Sequence, residues 1–321
     1  MTDYLIGGYG PDMNGTGLGM LWGRSHADGR FEVGPLAAEL DSPSWITVDG
    51  ARVFAALEGA GALVELELSG ERLLPVAHHI VGTWPCHVAV AHGLPIVACY
   101  GDGTIWTPAG ALHGDAEHGP LPAQDGPHAH HVLVLGDTVL TLDLGTDRLY
   151  VHHVVDESLH RVDELALPPG TGPRDLLTLP DGRIALLGEW SCELLLLEPM
   201  GDTFEIVQIV ALPGATQGAD QASGLALSAD GRFIVAGVRG SNRVATLEVG
   251  DAVAPVAWAP SGGDWPRHLV VDGEFVHVAN QLSNTIASFR LGADGILTPV
   301  GEPVAAPSPT CLAPVGRAPK F

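Results

Sequence analysis

The feature that most constrains this chain is a unit that recurs six times at intervals of 42 to 49 residues. Each copy begins with Pro or Ala, alternates apolar residues up to a glycine-containing turn, and continues with a second apolar strand that ends in small or polar residues. The copies begin at Pro43, Pro85, Pro127, Pro173, Ala222 and Pro266. A repeat of this length that is built from strands is typical of β-propeller blades with four strands each. The sequence therefore predicts an all-β propeller.

The two ends of the chain supply a seventh blade. Residues 309–314 resemble the opening strand of another unit, residues 5–9 resemble a second strand and residues 17–22 a third. We therefore predict a seven-bladed β-propeller that forms one domain over residues 1–321. Pairing of the N- and C-terminal strands would close the ring, which removes exposed sheet edges.

The charge of the chain excludes some partners. The formal net charge is −23, and Lys320 is the only lysine. Nucleic acids and anionic membranes bind basic surfaces, so neither is expected as a partner. The N-terminus has no signal-peptide pattern, and no apolar run approaches membrane-spanning length. We predict a cytoplasmic protein, whose oligomeric state, monomer or dimer, stays open.

No cofactor motif is present. The four cysteines, Cys86, Cys99, Cys192 and Cys311, lack CxxC spacing and are expected to be free thiols. The chain also lacks a nucleophile elbow, a phosphate-binding loop and a dinucleotide fingerprint. We expect no cofactor and no metal ligands, with a structural cation in the channel as the alternative.

Polar side chains collect at one mouth of the predicted channel. In a propeller blade the first strand lines the channel and the second returns antiparallel to it, so the start of the first and the end of the second lie on one face. The residues at these positions are Glu58, His87, Tyr100, His128, His130, Asp143, Arg174, Glu189, Arg239, Arg267, His268, Asn280 and Gln281. Six consecutive blades thus direct polar groups toward one site.

The hairpin over residues 172–189 places two opposite charges together. An Asp-Gly pair between apolar runs favours a two-residue type I′ turn. With Asp181 and Gly182 as the turn, Arg174 lies directly opposite Glu189, within reach of a charge-assisted pair. A structural salt bridge is the alternative interpretation.

Two further arginines, Arg239 and Arg267, come from the next two blades and converge on the same mouth. Clustered like charges are costly in the absence of a ligand, so the cluster favours an anionic small molecule. A propeller that only binds a partner protein or metabolite remains the alternative.

The histidine pair His128 and His130 is two residues apart on a strand, so both side chains should point to the same side. Either could act as general base or as anion donor. Asp143 could contact the ligand or accept hydrogen bonds from first-strand amides. Gln281 could likewise serve in turn chemistry or in ligand contact.

Several segments together resemble the seven-bladed propeller lactonase family. They are PSWITVDG, PHAH followed by DLGTD, GPR followed by PDGR and Glu189, SADGRF followed by Arg239-Gly240, and PRHLVVDG followed by ANQLSN. That family includes propeller-type 6-phosphogluconolactonases and 3-carboxymuconate lactonizing enzymes. The resemblance implies a site histidine at His128 or His130, site arginines at Arg174 and Arg239, and an acidic residue at Glu189. This chain has Asp175 where the family usually has His.

The expected function is hydrolysis of a sugar-acid lactone, with 6-phosphogluconolactone as the favoured substrate. A cycloisomerase of the 3-carboxymuconate type is the alternative enzyme. The catalytic candidates are Glu189, His128, His130, Arg174 and Arg239, and the substrate-binding candidates are Arg267, His268, His87, Asp143 and Gln281.

Overall fold

Short apolar strands separated by tight turns form the whole of the architecture. The structure, a computed structural model, describes residues 1–115 and 117–316, so Lys320 lies outside it. In chain order the strands are β1 (Thr2–Gly8), β2 (Met20–Ser25), β3 (Phe31–Ala38), β4 (Pro43–Asp49), β5 (Arg52–Leu57), β6 (Ala62–Ser69), β7 (Arg72–Ile80), β8 (Pro85–Ala91), β9 (Leu94–Cys99), β10 (Thr104–Thr107), β11 (Gly110–His113), β12 (Ala129–Leu135), β13 (Thr138–Asp143), β14 (Arg148–Val155), β15 (Ser158–Ala166), β16 (Pro173–Thr178), β17 (Ile184–Gly188), β18 (Glu193–Met200), β19 (Thr203–Ala211), β20 (Gln221–Leu227), β21 (Phe233–Arg239), β22 (Arg243–Glu248), β23 (Ala254–Pro260), β24 (Pro266–Asp272), β25 (Phe275–Asn280), β26 (Thr285–Leu291), β27 (Leu297–Pro299), β28 (Val304–Ala305) and β29 (Pro309–Val315). A 3₁₀ helix, Pro11–Met13, lies between β1 and β2.

The strands form seven antiparallel sheets, one per blade. We number the blades 1 (β4–β7), 2 (β8–β11), 3 (β12–β15), 4 (β16–β19), 5 (β20–β23), 6 (β24–β28) and 7 (β29 with β1–β3). The predicted seven-bladed propeller is therefore confirmed. Ring closure is confirmed as well, because β29 pairs antiparallel with β1 and Leu5 faces Ala313. One domain over residues 1–321 stays a prediction.

The core lies between neighbouring blades. Leu187 and Leu194 of blade 4 pack in one cluster with Ala236 and Val238 of blade 5, and all four side chains are fully buried. A second strand is covered on both faces, which explains why β9, β21 and β25 are buried along their whole length. Within the described residues, no helix is long and apolar enough to cross a membrane.

A β-bulge interrupts the start of the inner strand in every blade. The register shifts lie between Pro43 and Trp45, Pro85 and His87, Ala129 and His131, Pro173 and Asp175, Ala222 and Leu225, Pro266 and His268, and at Gly7/Gly8 opposite Pro309 and Cys311. A bulge breaks the two-residue alternation and redirects the extra side chain. The bulged residues are Ser44, Cys86, His130, Arg174, Ser223, Arg267 and Thr310.

The turn predicted for the blade 4 hairpin is wrong. Thr178 pairs with Ile184, so the loop has three residues beyond Leu179 and before Arg183. The Gly182 N–H donates to the Leu179 carbonyl (3.0 Å), and only Gly182 (φ +88°) has a positive φ. Pro180 pre-sets the first position of a type I turn, which Gly182 then closes in the left-handed region. Together with the bulge at Arg174, this register removes the direct ladder pairing of Arg174 with Glu189.

Candidate active site

A cavity opens at the mouth of the channel, and we call it the mouth cavity. Its lining comprises the seven bulged residues and, one position deeper, Trp45, His87, His131, Asp175 and His268. Its empty volume, including space open to solvent, is about 390 Å³. The bulges therefore collect one side chain from every blade around one small space.

Arg174 enters the mouth cavity and is fixed in place. Its Nη1 donates to Glu189 Oε2, and its Nε donates to the Ser223 carbonyl of blade 5 (2.7 Å). Glu189 Oε1 lies 2.9 Å from Nη2 of Arg239, which also donates to the Ala222 carbonyl (3.1 Å). The predicted contact between Arg174 and Glu189 is confirmed, but it is made through the bulge.

Glu189 is held as a carboxylate. Burial opposes its ionisation, but Arg239 and Arg174 outweigh this and hold the pKa of Glu189 below its ordinary value. Burial lowers the pKa of Arg239 to about 9 against the attraction of Glu189, so Arg239 is still charged at neutral pH. Neither residue lines the mouth cavity. Glu189 and Arg239 therefore lie behind Arg174 and hold it.

His130 is the histidine of the PHAH segment that reaches the mouth cavity. It meets Tyr100 edge-on with ring centres 6.1 Å apart, and its buried Nδ1 has no partner in the described part of the chain. Burial, followed by Arg174 and Arg267, moves the pKa of His130 well below its ordinary value. His130 is therefore a neutral imidazole at neutral pH.

His128 is engaged outside the cavity lining. It stacks on Tyr100 with ring centres 4.5 Å apart. Its Nδ1 lies 2.7 Å from the Tyr100 carbonyl oxygen, and its Nε2 lies 3.0 Å from Asp125. The bulge at His130 breaks the alternation that predicted a common direction for the two histidines.

Asp143 closes the end of β13. Its Oδ1 accepts hydrogen bonds from the backbone N–H groups of His128 (2.8 Å), Gly145 (3.0 Å) and Thr146 (3.1 Å). The predicted bond to a first-strand amide is confirmed. Asp143 lines a separate space between blades 2 and 3 and not the mouth cavity, so a substrate contact stays a prediction.

Gln281 also lies outside the cavity lining. Its backbone N–H donates to the Trp265 carbonyl (3.0 Å), and its buried Oε1 has no partner among residues 1–115 and 117–316. Ligand contact by Gln281 likewise stays a prediction.

His87 and His268 form part of the floor of the mouth cavity. Val132 N–H of blade 3 donates to His87 Nδ1 (3.3 Å), and Leu312 N–H of blade 7 donates to His268 Nδ1 (3.1 Å). Because each Nδ1 accepts, the ring hydrogen of a neutral imidazole is on Nε2. Burial lowers the pKa of His268 to about 4 and moves that of His87 well below its ordinary value. Both rings are therefore neutral hydrogen-bond donors.

Sequence reasoning missed a buried pair on the same floor. His131 Nδ1 lies 3.0 Å from Asp175 Oδ1, and Asp175 also accepts the backbone N–H groups of Leu176 and Leu225 (2.8 Å each). Burial raises the pKa of Asp175 to about 7, and burial together with Arg174 lowers that of His131 to about 3. Alternation from Arg174 placed Asp175 away from the channel, but His87 and His268, at the equivalent positions of their blades, were predicted at the mouth. That equivalence is a signal that could have found both residues.

Sequence reasoning also missed Tyr9, one member of a second cluster on the side formed by blades 6, 7 and 1. The Tyr9 hydroxyl donates to the Glu58 carboxylate, 2.8 Å from Oε2 and 2.9 Å from Oε1, and it accepts from Arg267 Nη2 (2.5 Å). Tyr9 and Glu58 follow the second strands of their blades, as Glu189 does in blade 4. That topological equivalence is the signal that could have identified Tyr9.

The mouth cavity also contains the thiol of Cys86. Burial raises the pKa of Cys86, so its thiol stays protonated and is a poor nucleophile. In the described ranges, 1–115 and 117–316, no group of three or more His, Cys, Asp or Glu side chains is arranged to hold a metal ion.

Known proteins match this chain over nearly its full length. A family model described as "Lactonase, 7-bladed beta-propeller" matches residues 4–314. A 6-phosphogluconolactonase of Bacillus subtilis (strain 168) is 27% identical over 315 residues, which cover 86% of this chain and 88% of the relative.

Solved structures agree. The periplasmic gluconolactonase PpgL of Pseudomonas aeruginosa superposes with a TM-score of 0.89 at 25% identity, covering 98% of this chain and 99% of that one. A protein from Lactobacillus plantarum gives a TM-score of 0.90 at 25% identity with the same coverage. The chain belongs to the seven-bladed β-propeller lactonase family.

Proposed function

We propose that this protein hydrolyses the lactone of a phosphorylated sugar acid, converting 6-phosphoglucono-1,5-lactone to 6-phosphogluconate. The observation that carries the proposal is the meeting of Arg174, Arg267 and the neutral His130 in one mouth cavity. The 6-phosphogluconolactonase name of the Bacillus subtilis relative supports the choice of substrate. Membership of the family favours an enzyme over a propeller that only binds.

Arg174 stabilises the oxyanion in this proposal. Attack by water turns the lactone carbonyl oxygen into an alkoxide, which needs a hydrogen-bond donor that is already in position. Arg174 is suited to this because Glu189 and the Ser223 carbonyl prevent it from turning away. A single well-placed donor of this kind contributes about 3 kcal/mol to catalysis. Glu189 and Arg239 act as positioning residues for Arg174.

His130 serves as the general base. Glu189 is unsuitable, because both of its oxygens are engaged by arginines and its pKa is lowered. His130 lines the cavity unprotonated, so its ring can accept a proton from the attacking water. The resulting hydroxide adds to the carbonyl carbon, the ring C–O bond breaks, and the departing ring oxygen takes up the proton. The product is the open-chain hydroxy acid.

A hydrolysis assay tests the proposal. We expect the purified protein to hydrolyse 6-phosphoglucono-1,5-lactone well above the spontaneous rate, and Arg174→Ala to remove most of the excess. A rate equal to that of buffer alone would reject the proposed activity. Including 3-carboxymuconate in the panel separates the cycloisomerase alternative, since only a lactonizing enzyme would consume it.

The cytoplasmic location and the absence of nucleic-acid and membrane partners stay predictions. The similar Pseudomonas aeruginosa protein is named as periplasmic. Fractionation of cells that express the full natural chain would decide the location.

A further inference from the structure

Arg267 differs from the other two site arginines in how many of its donors are engaged. Arg174 uses Nε for the Ser223 carbonyl and Nη1 for Glu189. Arg239 uses Nε for the Gln221 carbonyl (3.4 Å) and Nη2 for both the Ala222 carbonyl and Glu189. Arg267 uses only Nη2, for Tyr9, and its Nε and Nη1 have no partner in the described part of the chain. Arg267 is therefore the guanidinium with the most donors left for a ligand.

Tyr9 explains why Arg267 stays available beside a carboxylate. Arg267 Nη2 is 4.0 Å from Glu58 Oε2, and the Tyr9 hydroxyl lies between them. A direct bidentate pair with Glu58 would have consumed two guanidinium donors. The hydroxyl instead gives its hydrogen to Glu58 and its lone pair to Arg267. Tyr9 therefore keeps the guanidinium of Arg267 out of direct contact with the carboxylate of Glu58 and connects the two groups through its hydroxyl.

The ring of Tyr9 also contacts the guanidinium of Arg267. Arg267 Cζ lies 4.8 Å from the centre of the Tyr9 ring, which is the geometry of a cation–π contact. Burial raises the pKa of Tyr9, so the hydroxyl keeps its hydrogen. The Tyr9 ring therefore contacts the Arg267 guanidinium, and the Tyr9 hydroxyl binds Nη2. In the described part of the chain, Nε and Nη1 have no partner.

Arg267 and Arg174 come from different sides of the mouth cavity. Arg267, Tyr9 and Glu58 belong to blades 6, 7 and 1, whereas Arg174 and Glu189 belong to blade 4. One substrate could therefore contact a guanidinium at each end. Arg174, whose Nε and Nη1 are already bound to protein groups, suits a charge that appears only during reaction. Arg267 suits a permanent dianion, because a planar guanidinium with free N–H groups matches a phosphate.

We infer that Arg267 binds the phosphate of the substrate and that Tyr9 and Glu58 are positioning residues that keep its other donors free, an inference that rests on the proposed lactonase activity. Tyr9 and Glu58 thereby determine the preference for a phosphorylated over an unphosphorylated lactone. The lactone carbonyl lies toward Arg174 and His130.

The specificity ratio of Tyr9→Phe tests this assignment. The ratio is kcat/KM for 6-phosphoglucono-1,5-lactone divided by kcat/KM for glucono-1,5-lactone. Tyr9→Phe should lower it about tenfold, because Arg267 can then pair directly with Glu58 and lose one charge-assisted hydrogen bond to the phosphate, chiefly through KM for the phosphorylated lactone. Glu58→Gln should retain most of the ratio, because an amide oxygen still accepts from Tyr9, whereas Glu58→Ala should lower it. An equal loss for both lactones in Tyr9→Phe would overturn the inference.

Tyr150→Phe is a matched control. The Tyr150 hydroxyl donates to Asp115 Oδ2 (3.4 Å), and Arg161 Cζ lies 4.0 Å from the centre of its ring. This is a second arginine–tyrosine–carboxylate set, but it lies between blades 2 and 3, outside the mouth cavity. Tyr150→Phe should leave the specificity ratio at the wild-type value. A tenfold fall in the specificity ratio of Tyr150→Phe would show that the ratio responds to any loss of packing in the protein, and would overturn the inference.

Calorimetric measurements of ligand binding distinguish a failure of this inference from a failure of the proposed activity. If the wild type hydrolyses neither lactone, the activity is rejected, and binding of 6-phosphogluconate and gluconate still tests Arg267. Tighter binding of 6-phosphogluconate that Tyr9→Phe removes supports the assignment. Equal binding of the two acids by the wild type, or an advantage that survives in Tyr9→Phe, overturns it. Thermal melting of each variant confirms that it is folded.

Discussion

The carboxylate of Glu189 lies 2.9 Å from Nη2 of Arg239, so an ion pair joins blade 4 to blade 5 beside the mouth cavity. Both side chains are almost completely buried. Removing one partner of a buried pair leaves the other charge uncompensated, which costs more than the pair contributes when intact. The pair therefore couples the stability of the interface between these blades to the geometry of Arg174.

Glu189→Gln should lower the free energy of unfolding by about 3 to 5 kcal/mol, since two buried guanidinium groups lose their counter-charge. Denaturant unfolding measures the change. Glu248→Gln is the control, because Glu248 pairs with Arg232 at 3.4 Å on an exposed surface. That variant should lose less than about 1 kcal/mol. Similar losses in the two variants would contradict the coupling.

Arg239→Ala should lower kcat/KM through Arg174. Arg239 holds Glu189, and Glu189 holds Arg174, so the two arginines form one unit. Residues that share a partner give non-additive effects. The double variant Arg174→Ala/Arg239→Ala should therefore lose less activity than the two single losses multiplied together. Fully multiplicative losses would show that Arg239 acts independently.

His130→Asn should lower kcat by about 10² to 10⁴, the usual contribution of a general base. The histidine pKa lies well below its ordinary value, so kcat measured in the Asp175→Asn background, which removes a cavity carboxyl with a pKa of about 7, should remain level as the pH falls from 8 to 6. His128→Asn should cost far less, because both ring nitrogens of His128 contact other protein groups. A kcat that falls through pH 6.5 would point to a different base.

The protein should be sensitive to acid. His277 lies in the core between blades 6 and 7, with Nδ1 2.9 Å from Ser288 Oγ and Nε2 2.9 Å from Ser25 Oγ. Burial lowers its pKa to about 4. A histidine whose folded pKa is lowered contributes stability that is present above pH 6.5 and lost as the pH falls toward 4.

For His277 the stability lost over that window is roughly 3 kcal/mol, at about 1.4 kcal/mol per pKa unit. Denaturant unfolding from pH 7.5 to pH 4.5 checks the direction for the wild type. His277→Gln should flatten the acid limb of the curve by a comparable amount. An acid limb that is identical in the variant would contradict the assignment to His277.

The sequence was sufficient for the fold because blade strands are local patterns. Alternation, turn glycines and the spacing of units predicted all seven blades, and residues 309–314 predicted the closing strand. The residues that line the mouth cavity were harder to predict, because strict alternation of side chains along a strand cannot reveal a bulge. His131 and Asp175 were missed for that reason, and Glu189 was assigned a direct ladder partner that it does not have.

Tyr9 was missed for a different reason. It directly follows β1, whose inner neighbour, β29, lies far away in the sequence. Nothing near Tyr9 in the sequence shows that its side chain meets Arg267. Arg174 and Arg267, by contrast, line the mouth cavity, and both follow the opening proline of their units, a position that the repeat makes recognisable in the sequence.

Closure of the ring through β29 and β1 has a consequence for synthesis. Tyr9 and Arg267 are 258 residues apart in the chain, and Thr310, which lines the mouth cavity together with Arg267, lies later in the chain than both. A chain still emerging from the ribosome, or one that loses its last strand to a protease, can form blades without forming the cavity. Enzymatic activity in this protein would therefore depend on the pairing of β29 with β1.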